Sequence, residues 1–380
     1  MIPRFLQFAA VSMVVGSAIF AQAPSPSEAQ ALEASGRFAE AADVWRSFVK
    51  SNPTDAAAWA SLGVDLSRQQ EYQGAANAYR KALALNPSLP GIQLNLGLAE
   101  FKSNNLPAAI APLRTAVAAD SKNLQARTLL GLACYGTGKF AEAAKHLAIA
   151  SAADPSNAEL HNVLAQSCLS AKRYQCALEE FSWILKQTPD SAATHMLLGE
   201  ALDGLGKTPE AIQEFQQAVK TDPKAPDLHF GLGYLFWKMR SYDEAAQAFE
   251  AETAIAPENA QALAYLGDAE MHRGNPEKAL PLLQKAIRLR DNLRLAYVDI
   301  GAILTQQKQY QDALAALLSA KKLDPQQPDV HYRLGRLYQL LGETESAKRE
   351  LAQVQQLQQK AEDSIADKMS PRSVSSEKQP

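Results

Sequence analysis

Residues 56–87 read AAAWASLGVDLSRQQEYQGAANAYRKALALNP, and this stretch sets the pattern that the rest of the chain copies. Trp59, Leu62 and Gly63 stand at the spacing W-x2-L-G, Ala75, Tyr79 and Ala82 follow at helical spacing, and Asn86-Pro87 closes the stretch. Apolar residues recurring at helical intervals on both sides of a short polar turn predict two amphipathic helices. Glycine recurs in the register of Gly63 at Gly97, Gly131, Gly199, Gly233, Gly267, Gly301 and Gly335, every gap being 34 residues or twice that. A fixed period of this length marks a repeat array, in which each unit packs on its neighbours and length adds without a central core.

Counting in both directions from Gly63 places ten units without an insertion, beginning near Gln22, Ala56, Pro90, Leu124, Ala158, Ala192, Pro226, Ala260, Arg294 and Pro328. Two further columns test that register. Twelve residues after each glycine position stand Ala75, Ala109, Ala143, Ala177, Ala211, Ala245, Ala279, Ala313 and Ala347. Four residues further on come Tyr79, Leu113, Leu147, Phe181, Phe215, Phe249, Leu283, Leu317 and Leu351. Small residues let two helix backbones approach, and the large ones fill the adjoining space. Pro53, Pro87, Pro155, Pro189, Pro223, Pro257 and Pro325 end second helices, where proline cannot continue the hydrogen-bond ladder. Gly36, Gly138, Gly206, Gly274 and Gly342 fall in the turn between the two helices of a unit.

The array resembles the tetratricopeptide repeat family over residues 22–361. That resemblance implies an all-α solenoid of about ten antiparallel helix hairpins stacked into a right-handed superhelix, with the first helices lining its concave face. Several units depart from the pattern. The first is degenerate, with Ala29 in the glycine column, and the fifth has Ala165 there. The third and eighth lack the closing proline, carry Pro107/Pro112 and Pro276/Pro281 in their second helices, and put Glu100 and Glu270 in a mostly apolar column. Local kinking is expected in those two units. The last helix, through residues 362–369, reads as a polar cap for the array, and residues 371–380, PRSVSSEKQP, have the composition of a disordered tail.

Residues 1–21 differ in kind: Arg4 precedes an uncharged apolar run, and small residues follow at Ala18, Ala21 and Ala23. This is the pattern of a secretory signal peptide cleaved after Ala21, the alternative being an uncleaved segment that tethers the array to the inner membrane. The expected location is therefore periplasmic or secreted, of the exported bacterial type. An oxidising compartment permits a disulfide, and Cys168 and Cys176 flank one turn, whereas the column shared by Cys134 and Cys168 is apolar and suits small buried hydrophobes.

Charge and motifs limit the function classes. Lys+Arg 38 against Asp+Glu 41 leaves a net charge of -3, which argues against a general nucleic-acid binder. No phosphate loop, H-E-x-x-H, C-x-x-C or G-x-S-x-G occurs, so no catalytic residue, metal site, cofactor or small-molecule substrate is expected. His161, His195, His229 and His331 share the column of Trp59. Adjacent repeats hold equivalent positions about 8–10 Å apart, too far for shared metal ligation, so a packing role is expected.

Binding is the better-supported class. First-helix columns three before the glycine position, and one, four and five after it, gather Phe101 and Tyr135, then Met196, Glu200 and Asp203, then Phe230, Tyr234, Trp237 and Lys238. They continue through Asp268, Met271 and His272 to Val298, and end at Tyr332 and Arg336. Phe230, Tyr234 and Trp237 share one helix face, and aromatic anchors dominate interface energies. The alternative is that the stripe packs on the next unit as core. On the groove reading, Trp237→Ala and Tyr234→Ala remove binding while leaving the melting temperature unchanged; coupled loss of stability favours the core. The column three before glycine holds no lysine, which argues against a clamp for a peptide carboxylate. Glu200, Asp203 and Asp268 make the middle of the groove acidic, suiting an apolar segment with some basic residues. The expected function is a non-enzymatic scaffold holding a segment of another protein, within an envelope assembly or export complex. The alternative is a docking subunit for an enzyme, working through the convex face or the termini.

Overall fold

A computed structural model describes residues 25–369, with side chains to residue 363. The leader, its cleavage point and the tail after residue 369 lie outside the described residues. Twenty α-helices follow one another from Pro26–Ala34 to Thr344–Met369, and the described residues contain no strand. The fold is an all-α solenoid. The chain divides at Ser167 and Cys168 into two compact units, each built of helix pairs that pack on their sequence neighbours.

Within each unit the glycine column is the closest point of a helix pair. A Cβ placed on Gly131 would lie 2.6 Å from Leu147 Cγ, and one on Gly267 would lie 2.6 Å from Leu283 Cδ2. Tyr79, Leu113, Leu147, Phe215, Phe249, Leu283, Leu317 and Leu351 each press on the glycine sixteen residues before them. Glycine thus makes room for the large side chain seated on it, and the alanine column beside it is almost fully buried.

The turns show more regularity than the glycines predict. Residues 36, 70, 104, 138, 172, 206, 240, 274, 308 and 342 all have φ between 57° and 82°. Five are glycines, but Gln70, Asn104, Lys172, Arg240 and Lys308 occupy the same left-handed region, which costs a side-chain-bearing residue about 1–2 kcal/mol. Packing of the two helices imposes this turn whether or not the local sequence prefers it.

The turn at Lys172 carries a covalent brace. Cys168 and Cys176 are bonded across it with Cα atoms 5.8 Å apart, while Cys134 is a free, buried thiol. This helix pair combines alanine in the glycine column with lysine at the left-handed turn, so the disulfide closes the hairpin whose local sequence suits it least. A loop of eight residues restricts the unfolded chain enough that reduction, or Cys176→Ser with Cys168→Ala, is expected to cost about 2 kcal/mol. Urea unfolding of the second unit with and without reductant measures it, and an unchanged midpoint counts against the brace.

Pro112 and Pro281 do not break their helices: Leu106–Ala119 and Pro276–Leu289 run through them at the 14-residue length of the other second helices. Nor are Glu100 and Glu270 left loose in their apolar column. Glu100 accepts from Asn105 Nδ2 at 2.9 Å and pairs with Arg80, and Glu270 accepts from Asn275 Nδ2 at 2.6 Å and pairs with Arg273 at 2.5 Å. Each buried carboxylate thereby ties the end of a first helix to the start of the second.

The Trp59–histidine column has a linking role. Trp59 Nε1 donates to the Pro53 carbonyl at 3.0 Å. His161, His195, His229 and His331 place Nε2 at 2.9–3.1 Å from the carbonyls of Pro155, Pro189, Pro223 and Pro325, six residues earlier in each case. Arg127 does the same for Ser121, where the closing proline is missing. Where it holds Trp, His or Arg, the column fastens a first helix to a carbonyl of the linker before it, satisfying that acceptor.

Asp65, with Asp299 Oδ2, departs from this satisfied polar interior. It is fully buried, and neither carboxylate oxygen has a hydrogen-bond partner. Desolvation, and then the charge of nearby Glu33, raise its pKa from the ordinary 3.8 to about 7. A carboxyl whose folded pKa exceeds its unfolded one contributes stability below the unfolded value and loses it as pH rises through the folded value. The first unit is therefore expected to lose stability between about pH 4 and pH 7, and Asp65→Asn to flatten that slope, as thermal melts across the range would record.

Candidate functional site

The aromatic face of the second unit starts from a short helix with an unusual beginning. Most first helices open on a side-chain cap, as Ser191 does by accepting from Thr194 N and Asn259 from Ala262 N. Leu228–Lys238 instead follows Asp227 in the left-handed region, with no side-chain cap of its own. Its cap comes from the next helix: fully buried Glu252 accepts from the backbone N–H groups of Asp227 and Phe230, both at 3.2 Å, and from Asn259 Nδ2 at 3.3 Å. A carboxylate at a helix N-terminus meets both unpaired donors and the positive end of the helix dipole. Glu252 stands where most other units carry alanine, and it fixes the helix that bears the three aromatics.

Those aromatics are neither free nor fully core. Phe230, Tyr234 and Trp237 are half-buried and share Tyr265 of the following first helix, at ring-centroid distances of 5.8, 5.6 and 5.1 Å. Tyr234 stacks on Trp237 at 5.9 Å, and Phe249 closes the cluster from beneath. Trp237 Nε1 donates to Asp268, which lies beside buried Asp299. Burial, and then the neighbouring Asp268, hold the Asp299 carboxyl well above the usual carboxylate range. Asp268 and Val298, expected on the open face, are 4% and 3% exposed, because the following helix covers these columns.

On the other side of the same helix the face opens. Met196, Glu200, Asp203, Phe230 and Tyr234 line one cavity of about 380 Å³, together with Phe215, Asp227, Gly231 and Leu235. Five residues expected in the groove from sequence are thus brought together. Asp203 is held by Lys238 Nζ and Thr208 Oγ1, at 2.7 and 2.8 Å. The apolar surroundings desolvate the Glu200 carboxyl and raise its pKa. The other expected residues stand apart. Met271 packs partly buried against the neighbouring core, and Tyr332 is 54% exposed on the same helix as exposed Arg336. Phe101 and Tyr135 belong to the first unit, where Tyr135 donates its hydroxyl to Gln166 and meets Phe140 edge-on at 5.9 Å.

Phe215, Asp227, Gly231, Tyr265 and Glu252 did not emerge from the groove columns. Gly231 and Tyr265 share a column two before the glycine position, and comparing units along that column would have found them. Glu252 carries a weaker signal, a lone carboxylate among alanines. Among the described residues no group of His, Cys, Asp and Glu is arranged to hold a metal ion, and no helix is long and apolar enough to cross a membrane. His272, near the groove edge, stacks on Tyr242 at 4.3 Å.

Family models described as tetratricopeptide repeat match residues 27–90, 61–123, 128–192, 173–226, 196–259, 230–293 and 328–360, and one described as TPR repeat matches 301–342. The inactive TPR repeat-containing thioredoxin TTL3 of Arabidopsis thaliana is 32% identical over 94 residues, a quarter of this chain; the chain spans 14% of that protein's length. Among solved structures, YrrB, described as a TPR protein with an unusual peptide-binding site, is 23% identical with a TM-score of 0.40, over 50% of this chain and 97% of its own. Pseudomonas aeruginosa PilF is 18% identical with a TM-score of 0.48, over 53% and 91%. MamA of Desulfovibrio magneticus RS-1 is 24% identical with a TM-score of 0.42, over 45% and 96%.

Proposed function

The chain belongs to the tetratricopeptide repeat family, whose arrays are protein-interaction scaffolds, and from that premise we propose that its second unit binds a segment of another protein along its first-helix face. The observation that carries this reading is the cavity flanked by Phe230 and Tyr234 and rimmed by carboxylates, beside half-exposed Trp237. A packed core has no need of an open acidic rim, and a purely solvated face has no need of stacked aromatics. The scaffold acts without chemistry of its own: it orders a partner segment and holds it near whatever else the array carries.

The setting follows from the chain's start and its thiols. The bonded Cys168 and Cys176 fit an oxidising compartment, as does the leader-like run in residues 1–21. Export to a bacterial periplasm or beyond, with a role in envelope assembly or secretion, is the reading both support; retention of the leader as an inner-membrane tether is the variant of it. Mass spectrometry of the mature N-terminus separates the two.

A photo-crosslinking amino acid placed at Met196 and, in a second variant, at Leu318 tests the binding face. Leu318 lies on a second helix and is 42% exposed. Partner crosslinks from Met196 alone support the groove, and crosslinks from Leu318 alone would assign recognition to the opposite face, as in a docking subunit.

A further inference from the structure

The cavity beneath Tyr234 corresponds by repeat to a place that is filled one unit later. In the following interval Tyr265 stacks on Phe249 at 5.7 Å and closes the gap between successive first helices. Thirty-four residues earlier, Phe215 takes the part of Phe249 and Gly231 takes that of Tyr265. With no side chain at residue 231, Phe215 comes so close that a Cβ there would lie 2.2 Å from its ring. The space that Tyr265 fills in one interval is left in the other as the cavity of about 380 Å³. It is large enough for a long side chain and lies at the small end of ligand-binding pockets.

The chemistry of the rim selects the occupant. Glu200 and Asp227 both line the cavity, and neither carboxylate has an ion pair or side-chain hydrogen bond, whereas Asp203 beside them is occupied by Lys238 and Thr208. No basic side chain lines the cavity. Its walls are apolar or aromatic: Met196, Phe215, Phe230, Tyr234 and Leu235. An occupant needs an apolar stem, a cationic head, and a flat face for the Tyr234 and Phe230 rings. A guanidinium meets all three conditions, since it is planar, always charged, weakly hydrated and able to pair with carboxylates through two N–H groups at once.

We propose that this cavity receives an arginine side chain of the bound partner segment, with Glu200 and Asp227 pairing the guanidinium and Tyr234 covering its face. The inference rests on the groove reading above and adds the residue that the groove selects. Arginine then sets the register of the segment, because one buried charged anchor fixes position more sharply than apolar contacts spread along a helix face.

Two measurements on the full chain test it. In the first, N-acetyl-arginine amide and its neutral isostere N-acetyl-citrulline amide are titrated while the Met196 methyl resonance is followed. A saturating shift with arginine, absent with citrulline and weakened about tenfold by Glu200→Gln with Asp227→Asn, is the expected result. No shift, or an equal shift with citrulline, overturns the arginine pocket. In the second, phage-displayed random peptides are selected on the wild-type chain and counter-screened against the same double variant, whose helical content is checked by circular dichroism. Selected peptides that share an arginine and lose at least tenfold affinity for the variant support the proposal. Peptides that bind without a shared basic residue and still crosslink to Met196 leave the groove reading standing and overturn the arginine pocket. A screen that yields no peptide crosslinking to Met196 counts against the groove itself, and the titration then decides the pocket alone.

Discussion

Gly267→Val is expected to destabilise the second unit by about 3 kcal/mol or more, the size of a severe overpacking error in a tight core. An alanine Cβ at this position already comes within 2.6 Å of Leu283 Cγ and Cδ2, and the Ala279 carbonyl oxygen stands 3.4 Å away. Valine adds two methyl groups with restricted rotamers at the point where two helices approach most closely. Leu283 is fully buried and has nowhere to retreat. Relief must therefore come from separation of the helix pair. In a repeat array that separation is local, so unfolding should broaden or split into two transitions rather than shift as one. Urea melts followed by circular dichroism would show this, and the double variant Gly267→Val/Leu283→Ala should recover part of the loss. A melt indistinguishable from wild type would mean that the column tolerates a larger residue. Ala165 occupies the same column in the fifth unit, so Gly267→Ala is the milder comparison.

Trp237→Ala is expected to cost about 3 kcal/mol and to remove partner binding with it. On an open groove binding fails alone, whereas on a packed face stability falls with it. The ring is half-buried against Tyr234 and Tyr265, and its indole N–H donates to Asp268. Truncation removes aromatic packing and also leaves the Asp268–Asp299 pair without that donor, in a place where Asp299 Oδ2 already has no partner. Trp237→Phe separates the two contributions: it keeps most of the packing and loses only the N–H, so it should recover more than half of the stability. Thermal melts and a binding assay on both variants would check this. Full stability of Trp237→Ala would show that the cluster adds nothing to the fold. For a clean test of recognition, Glu200→Gln is the better variant, because its side chain has no partner within the protein to lose.

The histidine column shows how far pattern alone reaches. A shared register made metal ligation by neighbouring repeats implausible, since equivalent positions are a helix-packing distance apart. What the histidines do instead, bonding the carbonyl six residues back, needed the geometry of the linker. Glu100 and Glu270 were conspicuous as carboxylates in an apolar column, yet their pairing with Asn105 and Asn275 turns that anomaly into a brace.

By itself the sequence determined the repeat, the helix pairs and the packing columns. Period, small-against-large pairing and closing prolines are local or fixed-interval signals, and they add when repeated. Only the tertiary structure decided which open-face residues stay open. Asp268 and Val298 occupy the same columns as Glu200 and Phe230, but the following helix covers the first pair and Gly231 leaves a cavity beside the second. That outcome depends on the side chain that the next unit presents at one position, Tyr265 in one case and glycine in the other. Exposure in a stacked array is a property of two neighbours together, and no single column can specify it.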